Sequence, residues 1–211
     1  MTKTILAFGD SLTWGSDPEG RGRHDFADRW PSVLQAGLGE GYHVIPEGLG
    51  GRTTAFDDYT SAVDLNGARV LPTLLATHSP LDLVIIMLGT NDLKGFISPT
   101  IHGAVAGMGR LVEIIRHFPY RYRMAVPEVL LVAPPHLCDC ANGDSPLSGR
   151  SIAESRKLAP AYLSLAELEG CGFFDAATVA EASSADGVHL DPVNTRAIGS
   201  GLVAPVRTIL S

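Results

Sequence analysis

The chain has 211 residues, enough for one well-buried core, and no linker-like stretch divides it, so one domain over 1–211 is expected. A hydrophobic share of 45% with 18% charged residues excludes a disordered or fibrous chain. The net charge of −7 argues against nucleic acid or an anionic membrane as a partner, because both reward clustered Lys and Arg.

Taken in order, the first element is an apolar strand over Thr4–Phe8 that stops at Gly9-Asp10-Ser11. Helical spacing follows over Arg29–Leu38, then a strand over His43–Pro46 and a helix over Ala68–Thr77. Leu83–Leu88 reads as a strand, Ile101–Arg116 as a helix, Val129–Val132 as a strand and Ile152–Leu168 as a helix. Phe173–Phe174 is the fifth strand. The last helix, Pro192–Leu210, opens with Asp191 able to cap and Pro192 at the first helical position. All five strands read as buried runs rich in branched residues. Alternating β and α elements imply an α/β fold: three layers, with one five-stranded parallel sheet covered by helices on both faces.

Segments after strands are long and polar, at 9–28, 48–67, 89–100, 133–151 and 175–191. Most segments after helices are short, such as Gly39–Tyr42 and Ser79–Asp82; His117 to Glu128 is an exception with no explanation in the pattern. In open α/β sheets the ligand crevice lies beyond the carboxyl ends of the strands, so the long loops gather on the functional side. The basic run Arg121-Tyr122-Arg123 reads as a solvated connection. Cys138, Cys140 and Cys171 are odd in number and lack zinc-knuckle spacing, so free thiols are expected, with no metal and no cofactor. The apolar run near the N-terminus is too short for a signal-peptide core and Leu83–Leu88 is too short to span a bilayer. A cytoplasmic location is expected.

Four strand-end loops carry groups that chemistry could use. They are Gly9-Asp10-Ser11-Leu12, then Glu47-Gly48-Leu49-Gly50-Gly51-Arg52-Thr53-Thr54, then Gly89-Thr90-Asn91-Asp92, and finally Asp186-Gly187-Val188-His189. A serine nucleophile needs a base to take its proton and a third group to fix the base's tautomer. Ser11 is the candidate nucleophile, His189 the favoured base among seven histidines, and Asp186 can reach the far ring nitrogen through a single turn. The N–H groups of Ser11 and Gly51 and the Asn91 amide are candidate donors to an oxyanion. Leu12, Trp14, Thr90, Lys94 and Val188 neighbour these groups and are candidate pocket residues; for Leu12 and Val188, packing beneath the loop is an equal alternative, and Trp14 could instead anchor the first helix. His78, His102 and His136 receive no role.

Each group alone is an ordinary turn composition, but together FGDSLTWG, EGLGGRTT, MLGTND and DGVHL resemble the GDSL esterases, or SGNH hydrolases, over nearly the whole chain. The resemblance implies a flavodoxin-like sheet, Ser11, Asp186 and His189 as a triad, and Ser11, Gly51 and Asn91 as an oxyanion hole. Within that family the blocks are most similar to bacterial arylesterases, some of which also transfer acyl groups to alcohols. The implied partner is a small-molecule ester, with an O-acetylated sugar, thioester or lysophospholipid as alternatives, and a homo-oligomer is plausible by the same likeness. Gly50-Gly51 stands where a serine–alanine pair is expected, and Arg116 to Arg150 diverges.

Three rivals fit less well. Gly9-Asp10-Ser11-Leu12-Thr13 lacks the second glycine of the G-x-S-x-G elbow. Phosphoryl transfer through Asp10 would need a second carboxylate where Leu12 stands. The run Gly48 to Thr53 misses G-x-G-x-x-G at its last position and follows the second strand, not the first.

Overall fold

In the computed structural model, which describes residues 2–121 and 124–211, five short runs pair in parallel into one sheet. They are β1 (Lys3–Gly9), β2 (Tyr42–Gly48), β3 (Leu83–Met87), β4 (Glu128–Ala133) and β5 (Gly172–Asp175), in the spatial order β2-β1-β3-β4-β5. The helices are α1 (Ser11–Trp14), α2 (Trp30–Leu38), α3 (Gly67–His78), α4 (Ile101–His117), α5 (Ile152–Glu169) and α6 (Pro192–Ile209). Tyr122 and Arg123 of the basic stretch lie outside the described residues.

The interiors of the three central strands, β1, β3 and β4, are almost wholly apolar, and the two-residue period of the strand divides them between two cores. Leu6, Phe8, Val84, Ile86, Val129 and Leu131 face α3, α4 and α5. Ile5, Ala7, Leu83, Ile85, Leu130 and Val132 face α2 and α6. The sheet is therefore the middle of three layers. Because the chain leaves β1 in one direction to β2 and returns past it to β3, the order reverses between β1 and β3. That reversal opens a crevice at the carboxyl ends of those two strands.

Two strands differ from the expectation of burial. β2 and β5 are sheet edges, each paired on one side only, and they are largely half-exposed; His43 and Pro46 face solvent. Pro46 lacks a donor N–H, which an edge position tolerates and a central one does not. Three short 3₁₀ turns, at Phe26–Asp28, Leu147–Gly149 and Ala176–Thr178, have no counterpart among the predicted elements, and α1, the helix that Trp14 could anchor, has no predicted bounds. All three cysteines are free thiols, and among the described residues no helix is long and apolar enough to cross a membrane.

Asp92 ties the second and third strand-end loops together. It is fully buried, and its carboxylate accepts from the Thr54 N–H at 3.1 Å and from the Thr54 hydroxyl. Burial pushes this carboxyl up to about 6 despite those donors. A folded-state value above the unfolded 3.8 means that the native state holds the proton more tightly, so this group costs stability as pH rises from 4 through 6. Asp92→Asn removes that slope. Its melting temperature relative to the parent is expected to climb between pH 4 and 7, by on the order of 2 kcal/mol or roughly 4–8 °C, in parallel thermal melts. A difference that is flat or falls with pH would contradict the assignment.

Candidate active site

The corner after β1 is built by close contacts. A Cβ on Gly9 would meet the Thr13 Oγ1 at 2.0 Å and the Met87 carbonyl at 2.9 Å, so only glycine lets the chain turn there. Asp10 Oδ1 accepts the Leu12 N–H at 2.9 Å and caps α1, whose first residue is Ser11. Gly15, at φ +91°, ends the helix by donating its N–H to the Ser11 carbonyl at 2.8 Å. Ser11 is thereby fixed at the mouth of the crevice, where a first-turn N–H has no helical acceptor.

The last strand-end loop comes to meet it. Asp186 Oδ1 accepts the N–H groups of Val188 and His189, each at 2.9 Å, which closes the turn the spacing required. Gly187 adopts φ +74°, and a Cβ there would stand 2.3 Å from the Cys138 carbonyl. From the other side the His24 ring Nε2 lies 2.8 Å from the Leu190 carbonyl, tying the first loop to the last. The outcome is a chain of contacts across 178 positions of sequence. His189 Nε2 lies 2.9 Å from Ser11 Oγ, and His189 Nδ1 lies 2.5 Å from Asp186 Oδ2. A hydroxyl bonded to a ring nitrogen whose other nitrogen faces a carboxylate can pass its proton to the ring. Burial pushes the Asp186 carboxyl up, but the His189 ring and the two N–H donors outweigh it and hold the group below its ordinary range.

Gly51 and Asn91 border the same crevice of about 290 Å³, with Ser11, His189, Lys94 and Arg150. Gly51 adopts φ +86°, a conformation that side chains rarely take, and its N–H has no partner among the described residues. Asn91 is buried. Its Nδ2 donates to Asp10 Oδ2 and to the Arg52 carbonyl, both at 3.1 Å, and its Oδ1 accepts from Arg150 Nη2 at 2.8 Å. Burial pushes the Asp10 carboxyl up to about 6, against the Leu12 N–H and the charges of His189, Arg150 and Arg52. Arg52 itself donates to the Gly9 and Glu47 carbonyls and lies 4.3 Å from the Phe8 ring centre; burial draws its guanidinium down to about 10, still charged at neutral pH.

Of the five candidate pocket residues, the structure brings Lys94 alone to the lining. Its ammonium is 2.6 Å from the buried Asp58 carboxylate, so its charge is already paired. Leu12 is in the core against α2 and α6, and Val188 is buried. The Trp14 ring lies under the Arg23 guanidinium at 4.7 Å, and Thr90 is buried with its carbonyl accepting from Arg150. His78 pairs with Glu47 at 2.8 Å, outside the crevice.

Leu147, Ser148 and Arg150 also line the crevice, and sequence reasoning missed all three. Ser148 sits at φ +63°, in the left-handed region that non-glycine residues seldom occupy outside strained or functional sites. A signal was present: Arg150 stands just ahead of α5, at the positive end of a helix dipole, where a cation is out of place. A larger cavity of about 320 Å³, lined by Thr77, Phe118, Tyr120 and Met124, opens at the ends of α3 and α4 away from this chemistry. Among the described residues there is no group of three or more His, Cys, Asp or Glu side chains able to hold a metal ion.

Comparison with known proteins identifies the family of the chain. The chain is 52% identical to a carbohydrate acetylesterase family member from Sinorhizobium meliloti, with a TM-score of 0.94 over 99% of both chains. It is 39% identical to the aryl esterase of M. smegmatis, with a TM-score of 0.90 over 99% of this chain and 100% of that one. An arylesterase of Vibrio mimicus is 32% identical over 119 residues, which is 54% of this chain and only half of the relative's length. The model of the GDSL-like lipase/acylhydrolase family matches residues 7–193, a span that takes in all four strand-end groups gathered at the crevice. The chain belongs to that family.

Proposed function

We propose that this protein is a serine esterase that cleaves short-chain aryl or alkyl acyl esters through an acyl-enzyme on Ser11. The observation that carries the reading is the 2.9 Å contact between Ser11 Oγ and His189 Nε2, backed by Asp186 on the far nitrogen. His189 takes the Ser11 proton as Oγ forms a bond to the ester carbonyl carbon. The negative charge on the carbonyl oxygen is met by the N–H groups of Ser11 and Gly51 and by the Asn91 amide. An oxyanion competes well for one Asn91 hydrogen, because both of its existing bonds are long at 3.1 Å and one goes to a neutral carbonyl. The tetrahedral adduct collapses, the carbon–oxygen bond to the alcohol breaks, and the alcohol leaves with the proton from His189. Water, or a second alcohol, then gives its proton to His189 as its oxygen bonds to the acyl carbon; the carbon–oxygen bond to Ser11 breaks, and Ser11 Oγ takes the proton back from His189.

A second reading, deacetylation of acetylated sugars, is favoured by the lining: Ser16, Ser148 and Lys94 offer hydrogen bonds that a sugar leaving group would use. The name of the Sinorhizobium meliloti relative points the same way.

One panel tests both readings. p-Nitrophenyl esters of increasing acyl length, run in water and in a water–alcohol mixture beside an acetylated sugar, are expected to give the highest kcat/KM with acetate. The value should fall roughly tenfold or more by the octanoate, since the small open crevice has no deep apolar channel to reward added methylenes. Rates that rise with chain length would overturn the short-acyl assignment. Turnover of the acetylated sugar above the aryl acetate would favour the second reading.

A further inference from the structure

We propose that Arg150 is a positioning residue for ester cleavage: its guanidinium fixes which end of the Asn91 amide faces the crevice and strengthens that amide as a donor. This rests on the reading of Asn91 as an oxyanion donor.

A carboxamide is nearly symmetric in shape, so its partners decide its orientation. On one side of Asn91 stands a guanidinium, which can only donate; on the other stand the Asp10 carboxylate and the Arg52 carbonyl, which accept. Turning the amide over would set its NH₂ against the Arg150 N–H and its oxygen against the Asp10 oxygen. Both contacts would then be lost and replaced by repulsion. The 2.8 Å charge-assisted bond to Oδ1 also draws electron density from the amide nitrogen, making the Nδ2 hydrogens better donors.

Arg150 is built to hold that place. Its Nε donates to the Thr90 carbonyl at 2.9 Å and its Nη1 to the Leu147 carbonyl, so one planar fork clamps the residue before Asn91 as well as the crevice rim. Arg150 is 5% exposed, yet among the described residues no carboxylate lies within ion-pair distance of its guanidinium. A buried charge whose direct acceptors are all neutral, at the positive end of the 18-residue α5, costs stability on both counts, and the more distant Asp10, Asp186 and Asp58 carboxylates offset the burial only in part. Such a residue breaks the local rules for folding, as functional positions do.

A residue that merely pins the loop would add its loss to any other defect; one that works through Asn91 would not. The test is a double-mutant cycle with p-nitrophenyl acetate. Arg150→Ala is expected to lower kcat by ~10–10²-fold with KM within about threefold, whereas the same change made on top of Asn91→Ala costs less than about threefold. Equal losses in the two backgrounds, or an unchanged kcat in Arg150→Ala, would overturn the proposal. If the alanine protein does not fold, Arg150→Lys keeps one charge but cannot make the fork, and the same non-additivity is expected with a loss of about three- to tenfold. The underlying reading fails differently: in that case Ser11→Ala and Asn91→Ala retain parental turnover, whatever Arg150 does.

Discussion

Ser11→Ala is expected to lower kcat by ~10⁴–10⁶-fold on any ester the parent protein cleaves, while leaving KM within a few-fold. The substitution deletes one buried oxygen and nothing that holds the fold. The Asp10 cap on the Leu12 N–H, the Gly15 N–H to the residue-11 carbonyl and the tight corner at Gly9 all use backbone atoms or other side chains. The binding surface and the candidate oxyanion donors stay in place, so only the covalent step is lost. Steady-state kinetics beside a thermal melt would check it: an unchanged melting temperature with turnover removed is the expected pair.

His189→Ala is expected to be as severe, at ~10⁴–10⁶-fold in kcat, because the hydroxyl then has no acceptor for its proton. Its structural effect should again be small. The loop is held by the N–H groups of Val188 and residue 189 on Asp186 Oδ1, and by the Ser183 N–H on the residue-189 carbonyl at 2.8 Å. Without the ring, burial of the Asp186 carboxyl is opposed only by those N–H donors, so its acidity should move toward ordinary values. Retention of more than about a tenth of parental kcat, in protein shown free of the parent enzyme, would count against a histidine base.

Much of this arrangement was legible in the residues. Strongly apolar runs of five or six, such as Leu83–Leu88, admit few readings other than buried strands. Helix ends marked by side-chain caps were found within a residue: Asp191 accepts the Asn194 N–H at 2.8 Å at the start of α6, and Asn66 accepts the Ala68 N–H at 3.1 Å at the start of α3. Four-residue helices such as α1 carry no periodicity, and strand composition does not say which strands lie at an edge, so β2 and β5 were over-buried in the reading.

The site divides in the same way. Ser11, Gly51, Asn91, Asp186 and His189 sit in short blocks of fixed local chemistry, and their meeting follows once the sheet order is known. Leu12 illustrates the opposite limit, since adjacency in sequence to Ser11 put it in the core on the far side of a helical turn. Arg150 reaches Asn91 across 59 positions through a single side-chain fork; its place just ahead of α5 marks it as unusual but does not name its partner.

The claim beneath all of this is that Ser11 Oγ is the atom that takes the acyl group, made nucleophilic by His189. An organophosphate ester with a p-nitrophenol leaving group reports it directly, because the adduct is stable and can be placed by peptide mass spectrometry. One adduct per chain, located on Ser11, absent from Ser11→Ala and strongly slowed in His189→Ala, is the expected result. A label on another side chain, or full ester turnover in protein whose Ser11 stays unmodified, would contradict it.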